Sequence, residues 1–203
     1  MTTLRALRTP PTVIVLAAGL GRRFAASGGT GHKLDALLGD TPVLQHVLQA
    51  VAAAGLPWHV VRPIASNEHT QGMGDSIARG VAATADAAGW LILPGDLPLI
   101  QPDSLLRVAD ALATHPVVVP FWRQQHGHPV GFAPSCRSAL IALHGDTGAA
   151  AIVRTHRQAG QVRQLDLADP GIVMDIDTQD DLQQAQAWLT DARSHQEQHN
   201  GSR

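Results

Sequence analysis

The chain has 203 residues, 44% hydrophobic and 16% charged, enough for one domain with a full core and the balance of a globular protein, not a disordered one. Its net charge of −2, from 15 Lys+Arg against 17 Asp+Glu, leaves no positive excess to grip a nucleic-acid backbone, and its apolar runs fall far short of a bilayer span. With one cysteine, Cys136, and no apolar run in the N-terminal MTTLRALRTPP, no disulfide framework, multi-cysteine metal site or secretory signal is expected, and a cytoplasmic enzyme or binding protein is.

Residues 1–11 and 191–203 are polar and aperiodic, and are expected to be flexible tails around a single domain at 12–190. TVIVLAA (12–18) is a continuous β-branched run, the pattern of a strand buried on both faces. PVLQHVLQAVAAAG (42–55) predicts a helix, opened by Pro42, closed by Gly55, with Val43, Val47 and Val51 at helical spacing. WHVVRP (58–63) reads as a second strand, 73–89 as a helix, and GWLILP (89–94) as a third, buried strand. A helix at 102–115 starts near Pro102, and strands at 117–121 and 129–133 flank the turn-rich WRQQHGH. Helices at 134–143 and 147–158 precede strands near 161–167 and 172–176. The last helix starts at Thr178, where Thr178 and Asp181 make a capping box. Such alternation predicts an α/β fold, a mostly parallel sheet covered by helices on both faces, with ligands beyond the carboxyl ends of its strands.

The first strand runs directly into Ala17-Ala18-Gly19-Leu20-Gly21-Arg22-Arg23-Phe24. Glycines let backbone N–H groups converge on an anion, and arginine adds charge. The segment has neither the Lys-Ser/Thr of a Walker loop nor the third glycine of the dinucleotide fingerprint, so a structural turn is the competing reading. Lysine usage bears on the choice: fourteen of the 15 basic residues are arginine, and the one lysine, Lys33, follows this loop. An ammonium is a compact point charge suited to phosphate oxygens. Asp96 follows one predicted strand and Asp177 another. If those strands lie side by side, the two carboxylates could share one Mg²⁺, a cation that keeps positions open for phosphate and water. Asp175 competes with Asp177, since alternation would place both on one face. The histidines lack zinc-site spacing, and Cys136 reads as an inert helix residue.

Leu16 to Lys33 resembles the LAAGxGxR…K signature of nucleotidyltransferases of the GlmU- and MobA-like family. Further segments resemble that family in its order: Gly72-Met73-Gly74-Asp75-Ser76, Gly95-Asp96-Leu97-Pro98, Gly127-His128-Pro129-Val130, Gly145-Asp146-Thr147-Gly148 and Asp175-Ile176-Asp177-Thr178. The resemblance implies a single-domain, three-layer α/β/α fold, with a Rossmann-like sheet of the nucleotide-diphospho-sugar transferase type. It implies a nucleotide site at Ala17, Ala18, Gly19, Gly21, Arg23, Lys33, Gly72 and Ser76, with Arg23, Lys33 and Asp96 catalytic. Mg²⁺ would lie at Asp96 and Asp177, and the acceptor at His128, Pro129 and Asp146.

Within the family the chain most resembles the molybdenum cofactor cytidylyltransferases, the MocA-like subgroup. Guanylyltransferase relatives carry LAGG where this chain has Leu16-Ala17-Ala18-Gly19, and a methyl at Ala18 narrows the space for a base, favouring CTP over GTP. The implied acceptor is a molybdopterin-type phosphate, and a molybdoenzyme or its chaperone is a possible partner. GTP-dependent transfer, a sugar-phosphate acceptor and a catalytically silent nucleotide-binding accessory protein are the rival readings. The chain departs from the family in three places. Ala150 replaces the arginine of the GAR motif, with Arg154 a candidate substitute. Asp96 stands in GDLP where cytidylyltransferase relatives read DQP. A crossover unit between residues 63 and 72 is missing, which bears on base contacts from that region, Asn67 included.

Overall fold

The structure, a computed structural model, describes residues 9–64 and 72–200, with side chains through 191. In chain order, β1 (Thr12–Leu16) leads into α1 (Arg22–Ala26), then β2 (Leu37–Leu38), β3 (Thr41–Pro42), α2 (Val43–Ala53) and β4 (Trp58–Val61). The middle of the chain supplies α3 (Met73–Ala83), β5 (Trp90–Pro94), α4 (Pro102–Ala111), β6 (Val117–Trp122), β7 (Gln125–His126) and β8 (Val130–Phe132). It ends with α5 (Arg137–Ile141), α6 (Ala150–Gln158), β9 (Val162–Asp166) and α7 (Gln179–Asn200).

Alternation along β1 explains the layers. Val13 and Val15 join one buried cluster and Ile14 joins the other, as period-2 geometry requires of a strand covered on both sides. In β5, Leu91 and Leu93 follow Val13 and Val15, whereas Trp90 and Ile92 follow Ile14. One layer packs these residues against Val43, Val47 and Val51 of α2 and Leu105 and Val108 of α4. The other packs them against Ile77 and Val81 of α3, Leu140 of α5 and Ile152 of α6. Full burial of each such side chain contributes about 1.5–3 kcal/mol. Gly80 lets α3 lie close on the sheet, because a Cβ there would stand 2.4 Å from Ile14 Cγ2.

Among the described residues the main sheet has seven strands in the order β4-β1-β5-β8-β6-β7, with β9 beside β6. Parallel pairing joins β4, β1 and β5, and also β6 and β9, while the short β8 runs antiparallel to both β5 and β6. The sheet is thus mixed with mostly parallel strands flanked by helices, the α/β arrangement that the alternation predicts. A two-stranded hairpin, β2 with β3, stands apart. The expected strand at 58–63 is β4, at the sheet's edge.

Two expectations need correction. No strand forms at 172–176. Instead a 3₁₀ turn spans Pro170–Ile172, because Pro170 has no N–H to give a ladder and Gly171 presses on the Leu99 backbone. The final helix does not stop at 190 but continues to Asn200, through residues that include no glycine or proline before Gly201. The capping box forms as expected: the Thr178 N–H and hydroxyl donate to Asp181 Oδ2 at 2.7 and 2.8 Å, and the Asp181 N–H donates to Thr178 Oγ1 at 3.2 Å.

Candidate active site

β1 and β5 are parallel neighbours, so the segments after them leave the sheet at the same edge. The Gly95 N–H donates to the Leu16 carbonyl at 2.9 Å, and a Cβ on Gly95 would stand 2.9 Å from that oxygen. This close approach sets Asp96 beside the loop that follows β1. Gly21 enters α1 with φ +60°, a left-handed conformation glycine adopts without strain. The loop is closed by His32, a residue the sequence reading passed over. Its Nδ1 accepts the Leu34 N–H at 3.2 Å, so Nε2 carries the proton it gives to the Gly19 carbonyl at 2.6 Å.

Lys33 is the centre of the arrangement. Its Nζ lies 2.6 Å from Asp96 Oδ2 and 2.7 Å from Asp177 Oδ1, and Arg23 Nη1 pairs with the other oxygen of Asp177. Burial of the ammonium lowers its pKa, but the two carboxylates outweigh that cost and hold it above its ordinary 10.5. Asp177 reaches this position without a strand: the Ile176 N–H donates to the Asp96 carbonyl at 2.9 Å. Asp175 takes no part in the Lys33 bridge. Desolvation first, and the like charges of Asp96 and Asp177 after it, raise its carboxyl above the usual 3.8.

These residues line a cleft of about 820 Å³. Of the expected nucleotide contacts, Ala18, Gly19, Gly21, Arg23, Lys33, Gly72 and Ser76 face it, whereas Ala17 is buried behind the loop and does not line it. Of the expected acceptor contacts, His128 and Asp146 face it and Pro129, joined to His128 by a cis peptide bond, does not. Arg154 lies exposed on α6 away from the lining, so it does not replace the missing arginine there. Asn67 lies outside the described residues. The walls also include Phe24, Leu97, Ile172 and Val173.

Asp96 Oδ1 is buried without a hydrogen-bond partner among the described residues. A lone carboxylate oxygen of this kind suits a cation, and Asp177 supplies a second carboxylate on the same ammonium. Among the described residues no cluster of three or more His, Cys, Asp or Glu side chains is placed to hold a metal by itself. A cation held by this pair would have to draw its remaining positions from phosphate and water, as Mg²⁺ can. His128 Nδ1 is likewise buried without a partner among the described residues. Burial pulls this imidazole below its ordinary 6.5, against nearby Asp96 and a hydrogen bond to the Ile92 backbone, which raise it.

A glycine loop, two cationic side chains and an acid pair at the carboxyl edge of a mixed α/β sheet define a nucleotide-binding class of protein. Residues 13–161 match the MobA-like NTP transferase domain, and the chain belongs to that nucleotidyltransferase family. Solved structures agree on the fold. Rv0371c from Mycobacterium tuberculosis H37Rv is 26% identical with a TM-score of 0.72, the match covering 88% of this chain and 98% of that one. A nucleotidyl transferase from Methanothermobacter is 19% identical with a TM-score of 0.73, over 91% and 100% of the two chains. Molybdopterin-guanine dinucleotide biosynthesis protein A from Archaeoglobus fulgidus is 16% identical with a TM-score of 0.57, over 89% and 99%. A further structure of Rv0371c is a manganese complex, 22% identical with a TM-score of 0.65 over 88% and 98%. No protein of curated function matches the chain by sequence. Among the described residues no helix is long and apolar enough to cross a membrane.

Proposed function

We propose that the chain transfers CMP from CTP to a phosphate-bearing acceptor of the molybdopterin type, with release of pyrophosphate. The observation that carries this reading is the single ammonium of Lys33 between Asp96 and Asp177, at the mouth of the loop after β1. The acceptor's phosphate oxygen attacks the α-phosphorus in line, a P–O bond to it forms, and the bond to pyrophosphate breaks with its electrons going to the leaving group. A phosphate monoester is ionised at neutral pH, so the attack needs no general base. Lys33 and Arg23 offset the charge on the β- and γ-phosphates. Gly19 and Gly21 leave the loop backbone open to the phosphate chain, and the buried methyl of Ala18 narrows the base site toward a pyrimidine. Asp96 and Asp177 would hold a divalent cation, Mg²⁺ in this reading, which supplies charge neutralisation when bound. His128 and Asp146 orient the acceptor, residues 12–190 form the catalytic domain, and the enzyme works in the cytoplasm.

The test is pyrophosphate release measured with CTP, GTP, ATP and UTP, with and without Mg²⁺ and molybdopterin. Release with CTP that needs both the cation and molybdopterin is the expected result. Release that is faster with GTP, or that occurs only with a sugar phosphate as acceptor, replaces the substrate assignment. Nucleotide binding without any release identifies an accessory protein instead.

A further inference from the structure

The cleft wall on the α3 side is assembled from two segments about seventy residues apart, and one carboxylate oxygen joins them. Asp75 Oδ2 accepts the Gly72 N–H at 3.1 Å and the Gly145 N–H at 3.0 Å. Close packing reinforces the junction. The Gly74 N–H donates to the Gly145 carbonyl at 2.8 Å, and a Cβ on Gly72 would fall 1.9 Å from the Gly145 carbonyl carbon. A Cβ on Gly74 would stand 2.6 Å from the Thr147 carbonyl oxygen. The loop between α5 and α6 that carries Gly145, Asp146 and Thr147 has no helix or strand of its own.

We propose that Asp75 is a positioning residue of the cleft, a single-oxygen staple that fixes the Asp146 loop against the start of α3. Met73 and Ser76 on α3, and Gly145 and Asp146 on the loop, all face the cleft, so the staple sets the spacing between two sets of lining residues. The kinetic part of this proposal rests on the function proposed above; the structural part does not. Asp75 also meets the N–H of the residue that opens α3 with its own carboxylate. That helix end therefore carries a built-in negative charge and disfavours the nucleotide's triphosphate. The wall serves the uncharged parts of the substrates, and the phosphates are left to Lys33 and Arg23.

The experiment compares Asp75→Ala and Asp75→Asn with the full-length parent, each checked for folding by circular dichroism. Amide hydrogen exchange is read over residues 143–149, and KM and kcat for CTP and for molybdopterin are taken from pyrophosphate release. Alanine removes the shared acceptor, whereas an asparagine carbonyl can still accept both N–H groups. In Asp75→Ala, exchange of the loop speeds up by about tenfold or more, and KM rises by a similar factor with a smaller change in kcat. In Asp75→Asn both stay within about threefold of the parent. Parental exchange in Asp75→Ala, or exchange in Asp75→Asn as fast as in Asp75→Ala, overturns the staple. Faster exchange with unchanged KM for both substrates overturns the positioning role. A parent protein that releases no pyrophosphate defeats the proposed function instead, and leaves the exchange measurement to decide the staple.

Discussion

The N–H of Ile176 donates to the carbonyl of Asp96 at 2.9 Å, and this one backbone bond helps bring two carboxylates from distant parts of the sequence onto a single ammonium. Each Asp then has a distinct task. Asp96 keeps an oxygen without a partner among the described residues, whereas both oxygens of Asp177 are engaged, by Lys33 and by Arg23. Replacing Asp96 with Asn preserves shape but removes charge from the oxygen best placed for a cation. The expected outcome is a loss of about 10²–10³ in kcat together with weaker Mn²⁺ binding by titration calorimetry. Parental turnover in Asp96→Asn would remove Asp96 from the metal site.

Base selection can be tested at Ala18, which is 8% exposed and lines the cleft. Ala18→Gly deletes one methyl and should shift the ratio of kcat/KM for GTP over CTP upward by about tenfold, the scale of one methyl group in a packed pocket. Competing nucleotides in a single pyrophosphate assay give that ratio directly. An unchanged ratio would show that other residues choose the base.

Asp169 supports the cleft from beneath. It is 6% exposed, its Oδ2 accepts the Ser104 hydroxyl at 2.7 Å and the Gln101 N–H at 3.0 Å, and its Oδ1 accepts the Gly171 N–H at 2.8 Å. It thereby ties the start of α4 to the 3₁₀ turn that carries Ile172 into the cleft. Asp169→Asn places an amide NH₂ against at least one of these donors and should cost about 1.5–3 kcal/mol in urea unfolding. KM values should stay near parental at a temperature where the variant is folded. A midpoint equal to the parent's would contradict this account.

The depressed pKa of His128 gives a pH signature. Below about 6.5 the unfolded chain binds a proton that the folded chain resists, so stability is complete above that pH and declines as pH falls toward the lower folded value. Replacing His128 with Gln removes the titrating ring. Chemical unfolding from pH 8 to pH 5 should show a steeper acid decline in the parent than in His128→Gln. Parallel profiles would mean that the ring protonates as easily in the fold as in the unfolded chain.

Much of this molecule can be read from local pattern. Val13, Ile14 and Val15 announce a strand buried on both faces because no solvent-facing residue interrupts them, and the Thr178–Asp181 box is a four-residue signal complete in itself. Lys33 stands out by its rarity alone. Other features depend on bonds between distant segments. The apolar IVMDI reads as a strand, yet Pro170 and the Gly171–Leu99 contact turn the chain there, and two isolated backbone bonds, His128 N–H to Ile172 and Ile176 N–H to Asp96, hold it. Asp75 resembles an ordinary helix-entry acid in the sequence and Asp169 falls between two expected strands, and the distant partners of both become visible only when the chain is folded. The same holds for His32, whose ring closes a loop thirteen residues long in sequence separation.

Having one lysine gives the molecule a built-in reporter. An acylating reagent specific for ε-amines has a single side-chain target in this chain, at Lys33, already held by two acids at 2.6 and 2.7 Å. Mass-spectrometric footprinting of that one peptide therefore reads cleft occupancy without an engineered label or knowledge of the acceptor, and any ligand that shields or frees the amine changes the yield.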